Sequence, residues 1–203
     1  MMSIEMKHPP ASFEDSEREN ALLQGSDLIK AMGFWRVVRE DFAKVGGKIF
    51  LPGTQAVFVY RFGTWGDTLS FWPYAKAMKL LYRLAYIWVR NIYGIEFYKT
   101  IKAGRRLLIA HQSGIVIHDH ATMGDDIIIR HNVTFGRISA NDANKGPIIG
   151  SRVEFGPGSV LVGDVTIGDD VSIGPNCTVS TNVPSGRNLF VSPPRSFPKK
   201  ADE

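Results

Sequence analysis

The chain has 203 residues, 44% of them hydrophobic and 22% charged, with a formal net charge of +4, the balance of a soluble globular protein large enough for one core and an appendage. No run approaches the roughly 18 to 20 apolar residues of a membrane span, and the opening MMSIEMKHPP lacks the apolar stretch of a secretory signal, so a cytoplasmic protein is expected. Its cations are scattered rather than gathered with aromatics, which argues against nucleic acid as a partner, and its single cysteine, Cys177, excludes a disulfide or a cysteine metal site.

Residues 1–24 are polar, with a Glu/Asp-rich patch, and read as a mobile arm. Over 25–94 the apolar residues fall at helical spacing. Ser26 or Asp27 caps a first helix running to Asp41 through Ala43, Gly46-Gly47 and Pro52-Gly53 break the chain, and Gln55 to Trp65 form a second helix. Pro73 opens a long helix over 73–93 that stops before Gly94. Its cations, Lys76, Lys79, Arg83 and Arg90, fall on one stripe, and its other sides are Leu, Tyr, Ile and Trp. Such a helix lies on a membrane surface or packs into a core or against another subunit, and its spacing alone leaves both open.

From Phe97 the period changes to six. Phe97, Ala103 and Ile109 lead three hexads, and two extra residues near Gly114 to Val116 shift the phase. Ile117, Met123, Ile129, Phe135, Ile149, Phe155, Leu161, Ile167, Ile173 and Val179 then lead hexads whose fifth residue is mostly small or β-branched, as at Ala121, Val133, Ser159 and Cys177. A period of six is neither helical nor a strand alternation. Each hexad supplies one short strand and one turn, three close a coil, and the leading aliphatic points inward. The fold class is therefore mainly β, a parallel β-helix over 95–186 whose coils stack about 4.8 Å apart. A polar loop at 137–147, RISANDANKGP, replaces most of one hexad, and 187–203 form a C-terminal tail. Cys177, in an inward position, reads as core packing.

His111 and His131 are each third in their hexads, three hexads apart, so they should stack on one face, one coil apart. A loop that breaks a solenoid at one level commonly builds a site. Acyl transfer from a thioester to a hydroxyl needs a base of near-neutral pKa, which neutral imidazole supplies. It also needs a carboxylate to orient that base, for which Glu96 is available, and amide donors for the oxyanion. His118 and His120 read as surface turn residues.

Taken together, GIEFYKTIKAGRRLLIAHQSGIVIH, the following hexads and VSTNVPSGRNLFVSPPRS resemble the serine O-acetyltransferases of the hexapeptide-repeat superfamily, over about 52–195 and including PGTQAVFVYRFGTW. The resemblance implies a left-handed β-helix behind an N-terminal α-helical domain, a homotrimer or dimer of trimers with active sites between subunits, acetyl-CoA as donor and no metal. It places His111 on the family's catalytic base and Glu96 on the aspartate that orients it. The pantetheine would run along Gly156, Pro157, Ser172, Gly174 and Pro175, with Arg195 near the nucleotide.

Three departures bear on the acceptor. Where serine-specific members of the family carry Arg-His-Pro, an aspartate before the histidine, and Arg-Asp-Pro in the helical domain, this chain has Lys145-Gly146-Pro147, Ala110, and a short connection from Gly46 to Pro52. The polar set left, His131, Asn132, Asn141, Asp142, Asn144 and Lys145, suits a saccharide. The expectation is thus an acetyl-CoA-dependent O-acetyltransferase of the exopolysaccharide and capsule branch, acting on a small or lipid-linked saccharide at the inner membrane face, with the 73–93 helix as a peripheral membrane contact. The alternatives are a serine O-acetyltransferase of cysteine biosynthesis, a non-catalytic β-helix module, and a zinc hydratase using His111, His131 and either His118 or His120.

Overall fold

A computed structural model describes residues 23–137 and 145–192. Most of the expected arm, together with Asn141, Asp142, Asn144 and Arg195, lies outside the described residues.

Among the described residues four helices come first, α1 (Gly25–Met32), α2 (Phe34–Lys44), α3 (Pro52–Gly66) and α4 (Trp72–Tyr93). The single helix expected up to residue 43 is two, because Gly33 takes φ 83°, a left-handed conformation that glycine adopts without a Cβ clash. Its N–H closes α1 on the Ile29 carbonyl. Gln24, not Ser26 or Asp27, occupies the N-cap, and Asp27 pairs instead with Lys30. Proline in the first turn starts α3 and α4, and Gly94 ends α4 in the left-handed region at φ 64°.

The rest is a left-handed parallel β-helix with three faces. Face A stacks β1 (Ile95–Glu96), β4 (Ile115–Val116), β7 (Thr134–Gly136), β10 (Val160–Val162) and β13 (Thr178–Val179). Face B stacks β2 (Lys102–Ala103), β5 (Thr122–Met123), β8 (Ile148–Ile149) and β11 (Thr166–Ile167). Face C stacks β3 (Leu108–Ile109), β6 (Ile128–Ile129), β9 (Glu154–Phe155), β12 (Ser172–Ile173) and β14 (Asn188–Leu189). The last pairing carries the coil beyond residue 186 into the expected tail. Neither insertion breaks the register: Ile109 pairs with Ile129 across the first, and Met123 with Ile149 across the second.

All ten leading residues from Ile117 to Val179 are at most 4% exposed, and the fifth positions among the described residues are buried beneath them, Cys177 among them. Ser159 is the polar exception, fully buried with its hydroxyl unpaired.

The corner between faces B and C repeats Arg106, Asp126, Arg152 and Asp170, all left-handed with φ between 54° and 58° or at 61°. Their signs alternate, and the pairs close at 2.9 Å for Arg106–Asp126 and 2.6 Å for Arg152–Asp170. The helical domain docks on this corner, where Lys44 reaches Asp126 at 2.7 Å and Glu40 holds Arg105 at 2.7 Å. Hydrogen bonding to Arg106 holds the Asp126 carboxyl down at about 2. Beneath these contacts Arg61 of α3 is fully buried against Asp41 of α2 at 2.8 Å, and it also donates to the carbonyls of Ala103 and Gly104 in the first coil.

Candidate active site

Ile109, Ile129, Phe155 and Ile173 stand over one another on face C. The residues two places on, His111, His131, Pro157 and Pro175, therefore line the next corner, between faces C and A. The two imidazoles meet edge to face, with centroids 5.8 Å apart and planes 81° apart. His111 is exposed and left-handed at φ 71°. His131 is half-buried, its Nδ1 is buried without a hydrogen-bond partner, and its carbonyl accepts the Gly158 N–H at 3.0 Å. The extra residues beside His111 are held by two bonds: Ser113 N–H donates to the Tyr93 carbonyl, and Asn132 N–H donates to the Ser113 carbonyl. Asn132 is a left-handed corner residue whose amide oxygen lies 2.2 Å from where a Cβ on Gly114 would be, and Gly114 itself takes φ 66°, a conformation that favours glycine.

Glu96 ends β1 with an exposed side chain on face A, and its backbone carbonyl accepts the Ile117 N–H at 2.9 Å. The carboxylate is not hydrogen-bonded to His111. Burial raises the Tyr86 phenol above its ordinary value, and the charge of Glu96 adds to that rise.

Lys145 stands elsewhere, at the base of the loop on the corner between faces A and B, where its Nζ is 3.7 Å from Asp164. A small cavity there is lined by His118, Arg137, Lys145 and Pro147 among others. Contrary to the expectation of a surface turn, His118 is 8% exposed, because the loop base returns over it. Burial lowers its pKa, and its Nδ1 accepts the His120 N–H at 3.1 Å. The four histidines thus fall in two pairs on different corners of one chain. Among the described residues no group of three or more His, Cys, Asp or Glu is placed to hold a metal ion.

Of the residues expected at the pantetheine, Gly156, Pro157, Gly174 and Pro175 share the corner with the histidines. A Cβ on Gly156 would lie 2.7 Å from the Gly174 carbonyl carbon and one on Gly174 would lie 2.7 Å from the Phe190 ring, so close stacking of coils requires both glycines. Ser172 is on the outward side of face C, between Glu154 and Asn188. Asn144 and Arg195 lie outside the described residues. The sequence reading passed over an ion pair beside His131, in which Arg130 Nη2 binds Glu154 while Arg130 Nε is buried and unpaired. Its signal was available, since Glu154 lies one coil plus the loop beyond Ile128, beside which the register places it, and Arg130 is the next outward residue after Ile128.

Residues 146–181 match the family described as bacterial transferase hexapeptide (six repeats). A serine acetyltransferase of Helicobacter pylori is 34% identical over 167 residues, covering 81% of this chain and 94% of the relative. One from Mycobacterium tuberculosis is 35% identical, covering 66% of this chain and 55% of the relative. Among solved structures, serine acetyltransferase isoform 3 of Entamoeba histolytica, in complex with cysteine, superposes with a TM-score of 0.68 at 22% identity, over 83% of this chain and 62% of that one. The Brucella abortus enzyme in complex with coenzyme A gives 0.66 at 21% identity, over 83% and 69%. At such identities these two show the fold.

The relatives overturn the expected saccharide acceptor and give no support to the exopolysaccharide branch. That expectation rested on charges missing at three aligned places. The folded chain keeps a cation at one of them, Lys145, which stands by Asp164 at the loop base. The enzyme is an acetyltransferase with acetyl-CoA as co-substrate, and the chain belongs to the serine acetyltransferase family.

Proposed function

We propose that this chain transfers the acetyl group of acetyl-CoA to the hydroxyl of L-serine, with His111 as general base. The observation that carries this reading is the stacked pair His111–His131 on the corner that continues into Pro157 and Pro175. It puts an exposed imidazole at one end of a track long enough for a pantetheine arm. The serine oxygen attacks the thioester carbonyl carbon as His111 takes the hydroxyl proton. The tetrahedral oxyanion then collapses, the C–S bond breaks, and the imidazolium returns its proton to the CoA sulfur, leaving O-acetylserine and free CoA.

Glu96 is the carboxylate assigned to steady the imidazolium. The segment carrying His111 runs beside its strand, with Ser113, Ile115 and Ile117 donating in turn to Tyr93, Gly94 and Glu96. His131, Asn132 and Lys145, with Asn144, are assigned to the acceptor. Gly156, Pro157, Ser172, Gly174 and Pro175, with Arg195, are assigned to the donor.

The two halves of this site lie on different corners of one chain, the histidines between faces C and A and the loop base between faces A and B. In the homotrimer proposed here the histidine corner of one copy meets the loop corner of the next, and the active sites lie between subunits. A donor made in the cytoplasm suits a chain whose single cysteine is buried and unbonded. Release of CoA thiol from acetyl-CoA, with and without L-serine, tests the reading, with O-acetylserine identified by mass. Release that does not depend on serine contradicts it.

A further inference from the structure

Helix α4 packs on α3 and the first coil through Tyr82 and Val89, which are both 5% exposed. Its opposite side is open: Leu80, Leu81, Leu84, Ile87, Trp88 and Ile92 are between 45% and 68% exposed. At 100° per residue these six span a broad apolar sector, and the cations Lys76, Lys79, Arg83 and Arg90 form a stripe along one of its edges. Between that stripe and the first coil lies a groove whose wall carries Tyr82, Tyr86 and Tyr98 in mutual ring contact.

We propose that α4 is a surface-binding helix that lies in the plane of an anionic lipid bilayer, with its open apolar sector among the acyl chains and its cationic stripe at the headgroup phosphates. Charge complementarity selects this occupant. Trp72–Tyr93 carries four cations and no acidic residue. A second copy packed antiparallel through the same sector would set cationic stripe beside cationic stripe, with no carboxylate on the helix to meet either. Anionic headgroups complement the stripe, and Trp88, inside the sector and 45% exposed, suits the interfacial zone. Among the described residues no helix is long and apolar enough to cross a membrane, which is consistent with a helix lying on the surface.

The experiment is sedimentation of the full chain with vesicles of mixed phosphatidylglycerol and phosphatidylcholine, and with vesicles of phosphatidylcholine alone. The wild type is expected to sediment with the mixed vesicles and much less with the neutral ones, and to be released as salt is raised. The double variant Lys79→Glu, Arg83→Glu is expected to lose about tenfold or more of its partitioning, and Leu84→Glu to lose it as well, each with a wild-type circular dichroism spectrum. Equal binding to both vesicles, no binding to either, or unchanged binding by the double variant overturns the proposal. So does a lipid-free oligomer that Leu84→Glu dissolves, which would make this face a subunit contact. Serine-dependent CoA release without vesicles is expected to be the same in all three proteins, so failure of membrane binding and failure of the proposed reaction are read separately.

Discussion

The ring of His131 meets the ring of His111 edge-on at 5.8 Å, one coil above it, and buries its own Nδ1 without a partner. A half-buried imidazole packed against an exposed one limits the orientations of its neighbour, and in the proposed assignment it also meets the acceptor. His131→Ala is expected to raise the KM for serine several-fold or more while changing the KM for acetyl-CoA little. Initial rates across both substrates test this, and equal effects on the two would contradict the assignment.

Burial of Arg61 against Asp41 ties α2 and α3 to the first coil. Asp41→Ala leaves a fully buried guanidinium without its counter-ion and a Leu107 N–H without its acceptor. A loss of about 3 to 5 kcal/mol is expected. Denaturant unfolding measures it, and a loss below about 1 kcal/mol would show that the helical domain is held by other contacts.

Coil stacking at the site corner has no room for a side chain at Gly156. Gly156→Ala must push the Gly174–Pro175 corner away, at a cost of about 1 to 3 kcal/mol. The same displacement should weaken binding of acetyl-CoA if the donor runs along this track. A lowered melting temperature with unchanged CoA affinity would separate the structural role from the proposed binding role.

Asp126 has a folded pKa of about 2 against an ordinary 3.8, through its bonds to Arg106 and Lys44. A depressed carboxylate contributes stability that is complete above the ordinary value and is lost as pH falls through the folded one. Wild-type stability should therefore drop between about pH 4 and pH 2. Asp126→Asn should be less stable at neutral pH and show a shallower fall over that window. Parallel acid limbs in the two proteins would refute the coupling.

The β-helix was legible because its inward positions recur every six residues, and each of them, from Ile117 to Val179, is buried as the period requires. His111 and His131 were legible for the same reason, since equal places in hexads three apart must stack. The break at Gly33 was not, because the helical spacing continues through it and only the backbone angle ends α1. Burial of His118 depends on how the loop base returns over it, and the surroundings of Glu96 depend on the packing of Tyr86 from α4. Neither is a local property. The acceptor was not legible, because aligned positions carry no local record of which groups the fold brings together, as where Lys145 meets Asp164 across the loop base.

In the proposed reaction the exposed imidazole of His111 takes the proton from the serine hydroxyl. Because His111 is left-handed at φ 71°, alanine there would add backbone strain, and asparagine, which tolerates that region, is the cleaner replacement. The decisive measurement is the kcat for serine-dependent CoA release by wild type and His111→Asn, alongside their melting temperatures. The account predicts a fall in kcat of about 10²- to 10⁴-fold with melting unchanged. Retention of wild-type kcat by a folded His111→Asn protein would contradict it.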